Sequence, residues 1–283
     1  MKLIADSGAT KSDWILADNT GEKMSYQLPG LSPYYVNAKQ ISDLIKQDLL
    51  PFIEYRKIRK VFFYGTGCSA REKSLVVEEG LSKVFRRSDI KVNSDMLGAA
   101  RALFGEQKGI ACILGTGSSS CYYDGEKIEE SAPSLGYFFG DEGSGATMGK
   151  KFLRDYMLGN LPTEVNIAFR KEYNYTRENI IDEVYNMPFP NRFLASFCEF
   201  YADNLSNGYI FDLVSNSFRE FFISSVEFFR KYDNYSQLPV GFVGSVAFFF
   251  KPVLRQVANE FNIKIEKVMR SPINGLTQYH KKH

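Results

Sequence analysis

The sequence contains almost no histidine: two residues among 283, both within the last four positions. A His-based catalytic triad or a histidine metal cluster is therefore excluded from the body of the chain. Acid–base chemistry would have to come from carboxylates, Lys, Tyr or Cys.

Other absences narrow the functional class further. The formal net charge is only +2, and no basic stripe with interleaved aromatic residues is present, so nucleic acid is not an expected partner. No run reaches the roughly 18 apolar residues of a membrane span, and Asp6 interrupts the N-terminus too early for a signal peptide. The four cysteines lack C-x-x-C spacing, which is typical of reduced residues in a cytoplasmic protein.

The pattern that is present predicts two α/β halves. Strands are predicted at 2–5, 14–17, 23–28, 60–65 and 89–94, and helices at 38–52, 69–85 and 96–104. The plan then starts again with strand, turn and strand over 109–128. A mostly helical region (144–232), a strand (238–245), a helix (246–261), a strand (263–268) and a last short helix near Gly275 follow. We expect lobes at 1–106 and 107–283, joined without a visible linker.

The first turn lies in LIADSGATKSDWILAD, residues 3 to 18. It is not a P-loop, because Lys11 follows Thr10 rather than glycine and the next segment is β-like. The segment predicts a β-hairpin whose tip exposes backbone N–H groups and the hydroxyls of Ser7, Thr10 and Ser12 to an anion. A plain hairpin without a ligand is the alternative.

A second turn of the same kind, ILGTGSSSC, occupies residues 113 to 121. Gly115 and Gly117 bracket Thr116, so backbone and hydroxyl donors can approach a ligand without an intervening Cβ. One such turn in each half favours two phosphate-binding turns that face each other.

Four carboxylates stand at further positions suited to chemistry. Asp6 ends the first strand and is either a turn-stabilising residue or a water-mediated Mg²⁺ ligand. Asp95, between a strand and a helix, is either a helix N-cap or a general base. Asp141 and Glu142 lie in a glycine-rich segment that leads into a helix capped by Ser144, and this segment suits a small polar ligand.

The segment GFVGSVAFFF (241–250) reads as strand, Gly-Ser turn and helix. It is either a routine turn or a place for a nucleotide base or ribose. We interpret Phe248, Phe249 and Phe250 as core residues. The loop around Pro272 and Gly275 is expected at the same lobe. The basic stretches 56–60 and 86–91 are interpreted as solvated loops.

Taken in order, these motifs resemble the N-acetylglucosamine kinase family and the wider BadF/BadG/BcrA/BcrD ATPase group, within the superfamily of acetate and sugar kinases, chaperones and actin. The motifs that carry the resemblance are D-S-G-A-T-K-S, G-L-S at 30–32, S-D at 94–95, G-T-G-S at 115–118, G-D-E-G-S at 140–144 and V-G-S-V at 243–246. The resemblance implies an α/β fold of two actin-like, ribonuclease H-like lobes with a central cleft.

The resemblance also implies roles for individual residues. Asp95 would be the catalytic base, Asp6 would be near Mg²⁺, and Asp141 would bind a sugar hydroxyl. ATP would be held by Ser7, Gly8, Ala9, Thr10, Lys11, Gly115, Thr116, Gly117, Gly244 and Ser245. The sugar would be contacted by Tyr34, Asn37, Asp95, Ser119, Leu135, Gly136 and Asp141.

Three of these positions depart from the family pattern. Tyr34 stands where the family has a sugar-binding Asn, and Asn37 follows three residues later. Ser119 replaces another Asn, and Leu135 replaces a tryptophan of the sugar loop. The acceptor sugar is therefore less well defined than the phosphoryl transfer.

The resemblance predicts an ATP- and Mg²⁺-dependent kinase that forms the 6-phosphate of N-acetylglucosamine, a cytoplasmic enzyme without a membrane or nucleic-acid partner. A homodimer is compatible with the sequence. Two other functions stay open: an ATPase that activates a reductase or dehydratase through an iron–sulfur cluster, and a non-enzymatic actin-like nucleotide switch.

Overall fold

The computed structural model describes residues 1–18, 23–233 and 235–282. The chain packs as two units, the first formed by Met1–Gln107 with Ser271–His283 and the second by Lys108–Arg270. The C-terminal segment thus belongs to the first unit, whereas the expectation from sequence had assigned it to the second lobe.

The first unit contains a five-stranded sheet with the order β3-β2-β1-β4-β5. Its strands are β1 (Lys2–Ser7), β2 (Lys11–Ala17), β3 (Lys23–Pro29), β4 (Lys60–Gly65) and β5 (Asp89–Ser94). Strands β1, β2 and β3 pair antiparallel, and β1, β4 and β5 pair parallel.

Helices cover both faces of this sheet. They are α1 (Ala38–Asp48), α2 (Arg71–Ser82), α3 (Asp95–Phe104) and, at the end of the chain, α13 (Ile273–Lys282). The buried side chains of α1 and α2 join one core with Leu3, Ala5 and Phe63. On the other face α13 packs against α3, β1 and β2, and the ring of His280 stacks on Phe62 at 3.7 Å between centroids.

The second unit repeats the same sheet topology, with the order β10-β9-β6-β7-β8. Its strands are β6 (Gly109–Leu114), β7 (Ser118–Tyr123), β8 (Ile128–Ser131), β9 (Val240–Val243) and β10 (Ile265–Met269). In each sheet an antiparallel three-stranded meander continues into two parallel strands. The two α/β halves predicted from the sequence are therefore confirmed as a duplicated topology.

The helices of the second unit surround a core rich in phenylalanine and tyrosine. They are α4 (Gly136–Phe139), α5 (Gly145–Leu158), α6 (Thr163–Glu172), α7 (Arg177–Tyr185), α8 (Pro190–Ala195), α9 (Cys198–Asp203), α10 (Gly208–Phe221), α11 (Ser245–Phe249) and α12 (Lys251–Glu260). Among the described residues, every helix is too short or too polar to span a bilayer.

The helix predicted over 69–85 is the shorter α2, and two other predicted helices are interrupted with a proline near each break. Helix α1 ends at Asp48, and a separate 3₁₀ turn with Pro51 follows at Leu50–Phe52. The helix predicted over 246–261 divides into α11 and α12 at Phe250, two residues before Pro252. Proline lacks an N–H donor and disfavours a helical residue before it, so it restarts a helix more readily than it continues one.

A close contact between α5 and α8 leads to a testable prediction. A Cβ at Gly149, inside α5, would overlap the Leu194 carbonyl oxygen, whereas a Cβ at Gly208, in α10, would meet nothing within 4 Å. We expect Gly149→Ala to lower the free energy of unfolding by about 1–3 kcal/mol, because backbone cannot yield without moving α8. Unfolding in urea, followed by circular dichroism, measures the change.

Gly208→Ala is the matched control. Its free energy of unfolding should stay unchanged or rise by at most about 1 kcal/mol, because alanine restricts the unfolded chain without a clash. Equal effects of the two substitutions would show that the α5–α8 contact does not need glycine.

Candidate functional site

The first turn (residues 7–12) is the tip of the β1–β2 hairpin. Ser7 pairs with Ser12, and the Gly8 N–H donates to the Lys11 carbonyl at 2.9 Å. The segment continues as a strand rather than a helix, which confirms the predicted hairpin. The Thr10 side chain is exposed at the tip.

The hydroxyls of Ser7 and Ser12 are not available to a ligand, contrary to the expectation from sequence. Both residues are buried. The Ser7 hydroxyl accepts from the Leu31 N–H at 2.9 Å. The Ser12 hydroxyl accepts from the Trp14 indole at 2.8 Å and donates to the Pro29 carbonyl at 2.9 Å. These serines hold the turn in place, and Thr10 alone of the three presents an exposed hydroxyl.

The G-L-S motif at 30–32 packs against the first turn and is hydrogen-bonded to it. The Gly30 N–H donates to the Thr10 carbonyl at 3.0 Å. A Cβ at Gly30 would overlap the Gly8 carbonyl oxygen and the Ala9 backbone. Glycine is thus required at position 30 because two backbone segments meet there.

Asp6 and Asp95 are brought to the same edge of the first sheet. Asp6 is the fifth residue of β1, and Asp95 directly follows the last residue of β5, with β4 between the two strands. Since β1, β4 and β5 are parallel, their carboxyl ends lie together. A carboxyl edge of this kind is where ligands bind in open α/β sheets.

The alternative role of Asp95 as helix cap is wrong. Ser94 caps α3, and its side chain accepts from the Leu97 N–H at 3.2 Å. Asp95 is the first residue of the helix, and its Oδ1 accepts from the Met96 N–H at 2.8 Å. The remaining carboxylate oxygen is thus not required for capping.

The ionisation of Asp6 is affected by Asp95. Burial, together with repulsion from Asp95 and Asp13, raises the pKa of Asp6 to about 8, and the charge of Lys11 opposes this rise. Burial also raises the pKa of Asp95, against the hydrogen bonds that it accepts from Met96 and from Thr66. Such elevated carboxyl pKa values are typical of functional sites.

Thr66 is a site residue that the sequence analysis missed. It directly follows β4, whose last residues begin the segment Y-G-T-G, and lies next to the carboxyl ends of β1 and β5. Its N–H donates to the Ser7 carbonyl at 2.9 Å, and its hydroxyl donates to Asp95. The G-T-G triplet, identical to that at 115–117, was the available signal.

Tyr34 and Asn37, the two candidates for one sugar contact, have different surroundings. Asn37 is the N-cap of α1, since its Oδ1 accepts from the Gln40 N–H at 3.0 Å while Gln40 bonds back to the Asn37 N–H. Asn37 therefore has a structural role. Tyr34 is 64% exposed, lies beside Gly67, and has the Lys73 ammonium 4.7 Å from its ring centroid.

The second turn (residues 114–118) is the tip of the β6–β7 hairpin, as predicted. The Gly115 N–H donates to the Gly117 carbonyl at 3.0 Å, and the N–H groups of Gly145 and Ala146 donate to the carbonyls of Gly115 and Thr116. The turn is therefore bonded to the first residues of α5. The side chains of Thr116 and Ser119 are half-buried.

Asp141 lies directly against this second turn. A Cβ at Gly117 would stand 2.8 Å from its Oδ2, and its carboxylate accepts from the Ser118 N–H. Burial raises the pKa of Asp141, in opposition to that hydrogen bond. The predicted Ser144 cap of α5 is present, since the Ser144 hydroxyl accepts from the Thr147 N–H at 3.2 Å.

The segment before Asp141, which includes the short helix α4, presents apolar side chains to solvent. Leu135, Phe138 and Phe139 are 60%, 69% and 76% exposed. Gly136 has a φ of 67°, a left-handed conformation in which glycine is favoured over other residues.

At the end of β9, Gly244 has a packing role. Its φ is 127°, and a Cβ there would overlap the Leu114 carbonyl oxygen at the start of the second turn. Ser245 is exposed. The interpretation of the three following phenylalanines as core is correct for Phe250 and wrong for Phe248 and Phe249, which are 42% and 53% exposed.

The loop with Pro272 and Gly275 does not lie in the same unit as Gly244. It belongs to the first unit, where a Cβ at Gly275 would stand 2.7 Å from the Ala102 carbonyl oxygen of α3. Glycine there permits the close packing of α13 on α3.

Metal-ligating side chains are not clustered within residues 1–18, 23–233 and 235–282, where no group of three or more His, Cys, Asp or Glu could hold an ion. The four cysteines, Cys68, Cys112, Cys121 and Cys198, are not joined in disulfide bonds. A cation at Asp6 would therefore take its other ligands from water and from a bound anion.

Comparison with known proteins identifies close and distant relatives of this structure. No family model matches the chain, and no curated protein matches its sequence. A Porphyromonas gingivalis structure, provisionally named an N-acetylglucosamine kinase, is 42% identical over 100% of this chain and 99% of its own, with a TM-score of 0.94. That identity over the whole of both chains places the two proteins in one family.

Two more distant structures share the fold alone. A Chromobacterium violaceum protein with the same provisional name is 18% identical over 98% of both chains, with a TM-score of 0.69. A ROK family glucokinase from Streptomyces griseus, in complex with glucose and AMPPNP, is 13% identical over 100% and 99% of the chains, with a TM-score of 0.61. The fold of two actin-like α/β lobes predicted from the sequence is confirmed.

The raised pKa of Asp6 predicts an unusual dependence of stability on pH. The unfolded chain ionises Asp6 near its ordinary value of 3.8, whereas the folded chain keeps the proton until about pH 8. The wild-type protein therefore loses stability as the pH rises between these values. We expect Asp6→Asn to melt at the wild-type temperature near pH 4 and several degrees above it at pH 8, as measured by calorimetry.

Asp124→Asn is a control of opposite sign. The N–H groups of Glu126 and Lys127 donate to Asp124 at 2.8 Å and lower its pKa. This variant should be less stable than wild type near pH 7, with the difference vanishing as the pH falls below 4. If Asp6→Asn raised the melting temperature above that of wild type by the same amount at pH 4 and pH 8, the elevated pKa of Asp6 would be contradicted.

Proposed function

This chain belongs to the N-acetylglucosamine kinase family, and we propose that it transfers the γ-phosphoryl group of ATP to a sugar hydroxyl. N-acetylglucosamine is the proposed acceptor and its 6-phosphate the proposed product. The observation that carries this proposal is Asp95, a carboxylate at the carboxyl edge of the first sheet whose helix is capped by the neighbouring Ser94. A capping serine beside it frees Asp95 to receive a proton.

Asp95 is the proposed general base. Its raised pKa makes it a stronger base than an ordinary aspartate, which suits abstraction of a hydroxyl proton near neutral pH. In phosphoryl transfer the base orients the nucleophile, and proton removal accompanies a reaction driven mainly by positioning and charge stabilisation. Thr66, through its hydroxyl on Asp95, is the proposed positioning residue.

Asp6 is the proposed contact for Mg²⁺. Its carboxyl group fits a cation because burial and two neighbouring aspartates oppose its ionisation, and positive charge would relieve both effects. Mg²⁺ bound there would supply positive charge to the phosphoryl oxygens.

The two turns are the proposed contacts for the phosphates of ATP. In the first unit these are the exposed Thr10 and the backbone of Gly8, Ala9 and Lys11. In the second unit they are Gly115, Thr116 and Gly117, whose backbone is held by the start of α5. Ser7 contributes by bracing the turn, since its hydroxyl is buried.

The adenosine moiety is assigned to the residues after β9. Gly244 and Ser245 are the proposed contacts, and the exposed Phe248 adds an apolar surface in the same segment. The guanidinium of Arg270 lies 5.2 Å from the Phe249 ring centroid, so that ring is already engaged on one side.

The acceptor sugar is assigned to Asp141, Ser119 and the loop with Leu135 and Gly136, together with Tyr34. The Asp141 carboxylate, held by the Ser118 N–H, would accept hydrogen bonds from sugar hydroxyls. Asn37 is not among the proposed sugar contacts, because its side chain caps α1.

A panel of hexoses and N-acetylhexosamines, assayed for ADP release with Mg·ATP, tests this function. We expect N-acetylglucosamine to stimulate ADP release most strongly. Asp95→Asn should lower that sugar-dependent rate by about 10²–10⁴-fold, the usual contribution of a general base, while ATP binding measured by calorimetry stays near wild type.

Asp89→Asn is the matched control, because Asp89 is an exposed aspartate at the opposite end of β5. Its sugar-dependent rate should equal that of wild type. Wild-type turnover by Asp95→Asn would remove Asp95 as the base. The absence of stimulation by every sugar would overturn the kinase, and ATP hydrolysis that needs a protein partner would favour the activator function instead.

The hydrogen bond from Thr66 predicts a shift in the pH profile. This bond lowers the pKa of Asp95, so Thr66→Val should raise that pKa and move the acidic limb of kcat/KM to higher pH by about 0.5–1 pH unit. Thr66→Ser keeps the hydroxyl and should keep the wild-type limb. Coinciding profiles for the valine and wild-type enzymes would show that Thr66 has a purely structural role.

A further inference from the structure

Two basic loops of the first unit, which the proposed function does not use, meet at one edge of its sheet. Strands β4 and β5 are parallel neighbours, and Lys60 pairs with Asp89 at their first residues. The segments before these residues therefore lie side by side. The Ser88 hydroxyl donates to the Ile58 carbonyl and the Asp89 N–H donates to the Arg59 carbonyl, both at 2.9 Å.

These loops border an open cavity of about 640 Å³. The residues that line it come from the end of α1, the turn after it, the end of α2 and the two loops. They are Lys46, Leu50, Tyr55, Arg56, Lys83, Val84, Phe85, Arg86, Arg87 and Ser88. The volume is in the range of small-molecule sites in proteins.

The charges around this cavity are of one sign. Five of the ten lining residues are Lys or Arg, and among the described residues none of those that line it is acidic. Val84 and Phe85 are buried and give the cavity an apolar floor.

Part of this positive charge is explained by local structure. Lys46 lies 3.9 Å from Asp43, and Lys83 lies 2.7 Å from Glu79, all four being solvent-exposed. Both lysines also stand at helix C-termini, where cations are favoured by the helix dipole. Pairs this exposed contribute little to stability, so a more highly charged ligand can compete with them.

The three arginines have no such explanation. Arg56, Arg86 and Arg87 lie outside α1 and α2, and none of them forms an ion pair within the part of the chain that the structure describes. Arg56 places its guanidinium 5.9 Å from the ring centroid of Tyr55. Guanidinium groups pair with phosphate through two parallel hydrogen bonds, an arrangement that a lysine cannot reproduce.

We propose that this cavity is a binding site for an oligophosphate anion, a small molecule with two or more adjacent phosphate groups. Several guanidinium groups around one concave space suit such a ligand, and the apolar floor suits an organic body attached to it. The site is separate from the candidate active site. It lies at the amino ends of β4 and β5, and six residues of strand, about 20 Å, separate it from the edge with Thr66 and Asp95.

Inorganic triphosphate is the probe for this site, titrated into the full chain by calorimetry at low salt. We expect the wild-type protein to show a component of triphosphate binding whose affinity is at least about tenfold weaker in Arg86→Ala/Arg87→Ala. The reason is that each charge-assisted bidentate contact is worth about one decade of affinity. The sugar-dependent KM for ATP should change less than twofold, which separates this site from the active site.

Arg170→Ala/Lys171→Ala is the matched control, since it removes an exposed adjacent basic pair at the end of α6. Its triphosphate isotherm should equal that of wild type. Equal weakening by both double variants would show unspecific attraction to positive charge and overturn the proposal. The proposal would also be overturned if no component of triphosphate binding by the wild-type protein depended on Arg86 and Arg87.

If Arg86→Ala/Arg87→Ala fails to fold, Arg56→Gln tests the same cavity independently, because Arg56 lines it from the other loop. It should weaken the same component while the melting temperature stays near wild type. Unchanged triphosphate binding in a folded Arg56→Gln protein would also overturn the proposal.

Discussion

The parallel pairing of β1, β4 and β5 is the constraint on which the chemistry of the first unit depends. It places Asp6, Thr66 and Asp95 at one edge, although almost ninety residues of chain separate the first from the last. Burial of the Asp6 carboxyl group, together with repulsion from Asp95, raises the pKa of Asp6. The sheet thus holds a local electrostatic cost that a cation or a proton relieves, which is typical of a functional site rather than of a structural one.

In the second unit, the corresponding constraint is the close packing of backbone segments against each other, which glycines permit. Gly244 lets the end of β9 meet Leu114, and Gly117 leaves room for the Asp141 carboxylate. The N–H groups at the start of α5 hold the carbonyls of the second turn. A turn held from two sides retains its donors in one orientation, so little further ordering would be needed for the proposed binding of phosphate. Larger residues at Gly117 and Gly244 would push the second turn away from Asp141 and from the end of β9.

The same sheet in the first unit carries different ionisable side chains at its two ends. Its carboxyl edge carries Asp6 and Asp95, and its amino edge carries Arg56, Arg86 and Arg87 around a cavity. Because β1, β4 and β5 are parallel, the segments that precede β4 and β5 lie together at the amino edge, and Thr66 and Asp95 lie together at the carboxyl edge. The two proposed sites would therefore lie about 20 Å apart, at opposite edges of one small sheet.

The sequence by itself indicated most strands, the two hairpin turns and the repetition of their plan in two halves, because apolar periodicity and turn chemistry depend on neighbours along the chain. The ordered motifs indicated the family through their resemblance to it, whereas strand β8 and the breaks in two helices were not predicted. The sequence also indicated Asp6, Asp95 and Asp141. Tertiary structure alone decided that Ser7 and Ser12 point inward, that Ser94 rather than Asp95 caps α3, and that Thr66 bonds to Asp95. It also decided that α13 joins the first unit and that two basic loops form one cavity. Burial and hydrogen-bond partners depend on residues distant in sequence, which no local pattern can specify.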